Sequence, residues 1–235
     1  IFSMLVKDSP LKVRRKLYFL VPAGFLVIVI ILLLGLSFRY AGPADKRVAN
    51  FSARSMSATW MTDKLSGGCV IAVEKPLKRI ELAKAWLSFK KSYRGSGIVK
   101  ECGAEKHRAH MVDLTGLKQA TTYYLIFQQG LRLDFEFMPP FTTPAISAAA
   151  PGMPIPAYGS VKSNNGTPVV DAVVYLYRYS KTDHFPLAAI PNQDGNYAFD
   201  IANLPLTGES LILEVKNGLS QTRRVETDLR THSPF

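Results

Sequence analysis

Cys69 and Cys102 are the residues best suited to covalent chemistry, and the chain has no other cysteine. In an oxidising compartment the two thiols can pair, and a disulfide closing a loop of this size adds about 3–4 kcal/mol. The competing reading is two isolated thiols that fill small apolar sites in a core. His107 and His110 stand three apart, a spacing found in metal sites. No Cys, Asp or Glu cluster completes a tetrahedral set near them, and on a strand positions i and i+3 face opposite ways. They are therefore read as surface histidines. No nucleophile elbow, phosphate-cradling glycine loop or His-Glu-x-x-His run occurs. The chain is expected to be non-enzymatic, with no cofactor and no metal.

A second cluster suits binding. Between Lys75 and Arg108, basic residues outnumber acidic ones, and Lys84, Lys90, Lys91 and Arg94 are interleaved with Trp86, Phe89 and Tyr93. Such a stretch fits a solvated polar face, or a surface for an acidic protein partner or an anionic envelope polymer, with nucleic acid less favoured.

The elements that would carry these residues begin with a membrane segment. No charged side chain occurs from Leu17 through Phe38, and a run of about 20 apolar residues spans a hydrocarbon core of roughly 30 Å. The block is longer than the apolar core of a cleavable signal peptide and lacks a small-residue cleavage site, which favours an uncleaved anchor over 17–39. Tyr18 and Tyr40 flank it as interfacial aromatics. Part of the net charge of +11 lies in Lys7, Lys12, Arg14, Arg15 and Lys16, within a basic tail over 1–16. Positive charge favours the cytoplasmic flank, so the chain is expected to be single-pass in a plasma (inner) membrane, with everything after Tyr40 outside the cytoplasm.

Residues 43–144 read as short alternating runs separated by turns: Arg47–Ser52, Ser55–Thr62, Gly68–Glu74, Arg108–Leu114, Tyr123–Gln128 and Leu131–Phe137. Trp60 alternates with polar neighbours and is a core candidate. The stretch from Pro76 to Gly97 suits a helix and a strand about equally. At LTGLKQATTYY the chain resembles a fibronectin type III domain through Leu114, Gly116, Leu117, Thr121 and Tyr123, with Gln119 and Ala120 where that family usually has Pro and Gly. The resemblance implies that Tyr123 is a tyrosine corner, its hydroxyl bonding to upstream backbone.

A Pro/Ala-rich stretch, 145–153, reads as an extended linker. Beyond it, 154–228 restarts the strand pattern, with Asn165-Gly166 and Asp194-Gly195 as tight turns. This part resembles carboxypeptidase regulatory-like and Cna-B-type (transthyretin-like) sandwiches through Gly159, Val161, Gly166, Pro168, Val169, Ala172, Val174, Leu176, Asp194, Gly195, Tyr197 and Phe199. Some Cna-B domains carry a Lys–Asn isopeptide bond; Lys162 lies near the first strand, but no companion Asn and acid stand out. Residues 229–235 form a short tail.

The fold class expected is all-β, two tandem and independently folded sandwiches behind one N-terminal transmembrane helix. Function is read from that architecture as envelope adhesion or scaffolding without catalysis. The alternative is an accessory subunit, in a homo- or hetero-oligomeric assembly, of a secretion, pilus or transport machine.

Overall fold

The computed structural model describes residues 42–75, 92–95, 97–103, 106–129, 132–134, 138–146, 153–178, 185–202, 211–219 and 221–227. The apolar block at 17–39 and most of the basic and aromatic stretch lie outside the described residues. Among those described, no helix is long and apolar enough to cross a membrane.

Every described element is a strand, and all pairing between them is antiparallel. The first module contains β1 (Ala44–Ala49), β2 (Ser55–Ser66), β3 (Gly68–Val73), β4 (Ser92–Gly95), β5 (Ile98–Cys102), β6 (His107–Thr115), β7 (Thr122–Gln129), β8 (Arg132–Asp134) and β9 (Phe141–Thr142). One sheet runs β1-β2-β6 and the other β4-β5-β3-β7-β8, with β9 also on β7. Alternation decides what lies between them: Met56, Ala58 and Trp60 of β2 meet Val70, Ala72, Leu125 and Phe127 of the opposite sheet. The other face of the second sheet carries a further buried cluster, Ile71, Val73, Ile98 and Ile126. Of the stretch 76–97, the described part is mainly β4, a strand at the sheet edge.

The corner between β6 and β7 is built on Tyr123, which is 1% exposed and accepts the backbone N–H of Lys118 at 2.9 Å. Ala120 in this corner has φ +48. A side chain in the left-handed region costs roughly 1–2 kcal/mol that glycine does not incur. Ala120→Gly is therefore expected to raise the unfolding free energy by about 1 kcal/mol, less whatever the unfolded chain gains in freedom. The denaturant midpoint checks this, and a lowered midpoint would count against it.

The second module contains β10 (Pro156–Ser160), β11 (Val173–Arg178), β12 (Leu187–Ala189), β13 (Asn196–Asp200), β14 (Leu211–Asn217) and β15 (Gln221–Thr227). A two-stranded sheet, β10-β13, faces a four-stranded one, β12-β11-β14-β15. Val174, Leu176, Tyr197, Phe199 and Leu211 fill the space between them.

The modules do not stand apart. Residues 42–235 form one compact unit, and a third core joins Ala49, Met61 and Ala109 of the first module to Val173, Tyr175 and Ala188 of the second. The reason lies in β11: Val174 and Leu176 point into their own sandwich, so Val173, Tyr175 and Tyr177 must bury elsewhere, and they lie against the outer face of β1-β2-β6.

Candidate functional site

The joint between the modules gathers a set of interacting charged and polar side chains, and a bulge sets it up. Asp45 has φ +49, and the β1–β2 register shifts between Ala44 and Arg47. An extra residue in one strand re-aims its neighbours. Here it lets Arg47 donate from Nε to Asp45 Oδ1 at 3.0 Å while its two terminal nitrogens reach Glu214 on β14 at 3.1 and 3.3 Å. Arg47 also donates to the Tyr177 hydroxyl, and its guanidinium lies 4.6 Å from the Tyr175 ring centre. Lys216 pairs with Asp45 at 2.5 Å and lies 3.6 Å from Glu214.

Two cations thus meet two carboxylates in a half-buried setting. Burial alone would weaken the charge on Arg47. The hydrogen bond with Glu214 and the surrounding charges outweigh it, and its pKa is raised. Burial likewise works against the Glu214 carboxylate, yet Arg47 and Lys216 hold its pKa down. At Tyr175 burial wins instead: it pushes the hydroxyl up to about 12 although the bond donated to Thr59 Oγ1 at 2.8 Å and the nearby Arg47 both act to lower it.

On either side of this network each module closes an open sheet edge of the other. An edge strand presents unpaired backbone donors and acceptors. Asn50 of the first module accepts the Ala188 N–H through Oδ1 and donates from Nδ2 to the Ala188 carbonyl, both at 2.9 Å, while its own N–H donates to the Pro186 carbonyl. One side chain therefore imitates a paired strand along β12. A positive φ of 49, which asparagine tolerates well, aims it there. In return Asp171 of the second module accepts the N–H groups of Arg108 and Ala109 on β6 at 3.0 and 3.1 Å.

Asn50→Ala is expected to cost about 2 kcal/mol, because it leaves both backbone groups of Ala188 without their partner. Thermal unfolding checks the magnitude. Hydrogen exchange checks the place, since the Ala188 amide should lose protection while amides of the first core keep theirs.

The residues singled out in the sequence fall elsewhere. Cys69 and Cys102 face each other across β3 and β5 and are joined in a disulfide with an S–S distance of 2.09 Å. Lys84, Trp86, Phe89, Lys90 and Lys91 lie outside the described residues, and Tyr93 is placed within β4. Arg94 donates to the Thr115 carbonyl at 2.6 Å and to Glu101 at 3.0 Å, tying β4 to the end of β6.

His110 is not a surface histidine. It is 4% exposed and stacks on Trp60 at 4.8 Å, because the two are paired across β2 and β6. Burial, with the nearby His107 acting the same way and Asp171 opposing, lowers its pKa to about 4. His107 is half-buried, with Nδ1 3.6 Å from Asp171. Among the described residues no group of His, Cys, Asp and Glu is placed to hold a metal ion. Lys162 is exposed and pairs through its backbone with Pro168.

Asn50 itself begins an Asn-Phe-Ser triplet, which as sequence matches a glycosylation acceptor. With Nδ2 bonded to both Ser57 Oγ and Ala188, a glycan there would displace the joint. The signal that the sequence did hold is the uninterrupted apolar run of β11, AVVYLY, which marks a strand buried on both faces.

No family model and no curated protein matches the chain. Among solved structures it overlaps the central fibronectin-III array of RIM-binding protein at 13% identity, covering 80% of this chain and 64% of that one, with a TM-score of 0.26. It also overlaps the FN1–FN3 domains of chicken CNTN1 at 13% identity, covering 79% and 65%, with a TM-score of 0.27. The chain therefore spans slightly less than two thirds of either array.

Proposed function

We propose that the chain is a membrane-anchored, extracytoplasmic structural and interaction protein without catalysis, whose residues 17–39 form the anchor and whose two sandwiches form one stalk. The first sandwich is read as fibronectin type III-like, on its strand order and on Tyr123 at the corner. The second is read as a carboxypeptidase regulatory-like or Cna-B-type domain, on its two-plus-four strand arrangement and its Asp194-Gly195 turn.

The observation that supports a mechanical role is the joint. Its charged and polar side chains are spent on tying one sandwich to the other: Arg47 to Glu214, Asn50 to Ala188 and Asp171 to β6. A sequence that holds two domains in register in this way suits a spacer that sets the distance and direction of a binding face from the membrane. Lys84, Trp86, Phe89, Lys90, Lys91, Tyr93 and Arg94 are the residues assigned to that face. Its partner is an acidic protein or an anionic envelope polymer.

Protease added to intact cells, or to right-side-out vesicles, is expected to remove both sandwiches and leave a fragment containing 17–39. Protection of the sandwiches with loss of the N-terminal tail would overturn the reading. Crosslinking in native membranes followed by affinity recovery then distinguishes a lone adhesin from a subunit of a larger complex.

A further inference from the structure

We infer that the cleft along β12 is a binding site for a neutral oligosaccharide, a ligand class beyond the function proposed above and independent of it. The cleft is largely open to solvent and has a volume of about 480 Å³. Both modules line it. Met111 comes from β6, and Tyr158, Ile190, Asn192, Asn196 and Ala198 come from the second module. The joint therefore builds a site that neither sandwich has alone.

Among the described residues its lining carries no charged side chain, so those residues offer a phosphate, carboxylate or ammonium group no counter-charge. A sugar has apolar C–H faces and uncharged hydroxyls, and the cleft offers a match for each. Tyr158 is 54% exposed and pairs directly with Ala198 across β10 and β13, so its ring stands beside a small residue that leaves it open to stacking. Met111 and Ile190 continue the apolar wall.

The hydrogen-bonding groups stand next to that ring. Asn196 is two residues before Ala198 on β13, hence on the same face, and its amide is exposed with a donor and an acceptor to offer. Asn192 uses its Oδ1 to accept the N–H groups of Asp194 and Asn196 at 3.0 and 2.9 Å. That fixes the plane of the amide and leaves Nδ2 as a preoriented donor. Neighbouring sugar hydroxyls need both donors and acceptors within reach of an aromatic surface, and this constellation supplies them from positions held by backbone hydrogen bonds.

Saturation-transfer NMR on the detergent-solubilised full chain tests the site, with maltotriose, cellotriose and chitotriose as probes and trigalacturonate as the anionic control. At least one neutral trisaccharide is expected to receive saturation at millimolar concentration, and trigalacturonate none. Tyr158→Ala and Asn196→Ala are each expected to weaken the binding about tenfold, or about 1.4 kcal/mol. Both side chains are exposed, so the thermal midpoint should not move. Silence of all three neutral sugars, equal binding of trigalacturonate, or binding unchanged in both variants would each overturn the assignment. Because the assay is done in detergent, its outcome does not depend on which side of a membrane the sandwiches occupy.

Discussion

Trp60→Ala is expected to lower the unfolding free energy of the folded unit by about 3–5 kcal/mol, the usual cost of removing a buried indole. The ring is 0% exposed at the centre of the first core. It stacks on His110 at 4.8 Å on one side and meets Phe127 edge-on at 5.2 Å on the other. Room for it is made by Gly68, where an added Cβ would come within 2.3 Å of the indole. A residue that touches both sheets and a backbone glycine has no neighbour able to move into its place, so the cavity stays open. Against a typical total stability of about 5–15 kcal/mol, that loss leaves the chain marginal.

The indole nitrogen has no hydrogen-bond partner among the described residues. Trp60→Phe therefore forfeits no hydrogen bond and keeps an aromatic face for His110, and it should cost less than half as much. Denaturant unfolding of the two variants beside the parent measures the difference. Equal losses would mean that the stacking geometry contributes nothing.

How much of this was legible in the sequence depends on the range of the interaction. Strand positions in the first module followed from alternation, because each strand there has one face in its own core; the run around Trp60 is an example. The outer face of the same strand was misleading. Ser57 and Thr59 are the polar residues that alternate with Ala58 and Trp60, yet both are buried. Their hydroxyls are satisfied from elsewhere, Ser57 by Asn50 and Asp113, Thr59 by Tyr175. Polarity in an alternating strand reports that a group has a partner and does not say whether the partner is water. Tyr175 lies 116 residues from Thr59, and no local period encodes a contact of that range.

The same limit explains the histidines and Asn50. Position three apart on a strand separates the faces of His107 and His110 correctly, but which face is covered depends on the sheets stacked above and below. Asn50 matches an acceptor triplet by composition, whereas its use is set by a positive φ at the end of β1 that the residue types alone do not fix. The linker at 145–153 suggested two independent bodies. The double-sided apolar run of β11 contradicted that, and it carried more information because a strand buried on both faces needs a second sheet.

Acidification from pH 7 to 4 is expected to weaken the folded unit by on the order of 3 kcal/mol, through His110 first. The imidazole is buried against Trp60, and its folded pKa of about 4 lies below the ordinary 6.5. Between those values the unfolded chain binds the proton and the folded one refuses it, so stability rises with pH across that window and is lost as pH falls through it. The gap, at about 1.4 kcal/mol per pH unit, gives the stated size.

Glu214 acts with the same sign, because Arg47 and Lys216 keep its folded pKa below the carboxylate range and its contribution disappears when it is protonated. His107 and Asp171 face His110 from the joint side; protonated His107 adds repulsion and Asp171 offsets part of it. The first core should thus loosen first, at His110, and the joint only at lower pH, where Glu214 takes up its proton. His110→Phe keeps a ring on Trp60 but removes the titration, so its midpoint should fall distinctly less between pH 6.5 and 4 than that of the parent. Denaturant midpoints at half-unit pH steps give the comparison. A parent curve that is flat over this window would show that the imidazole takes up its proton in the folded core as easily as it does in water.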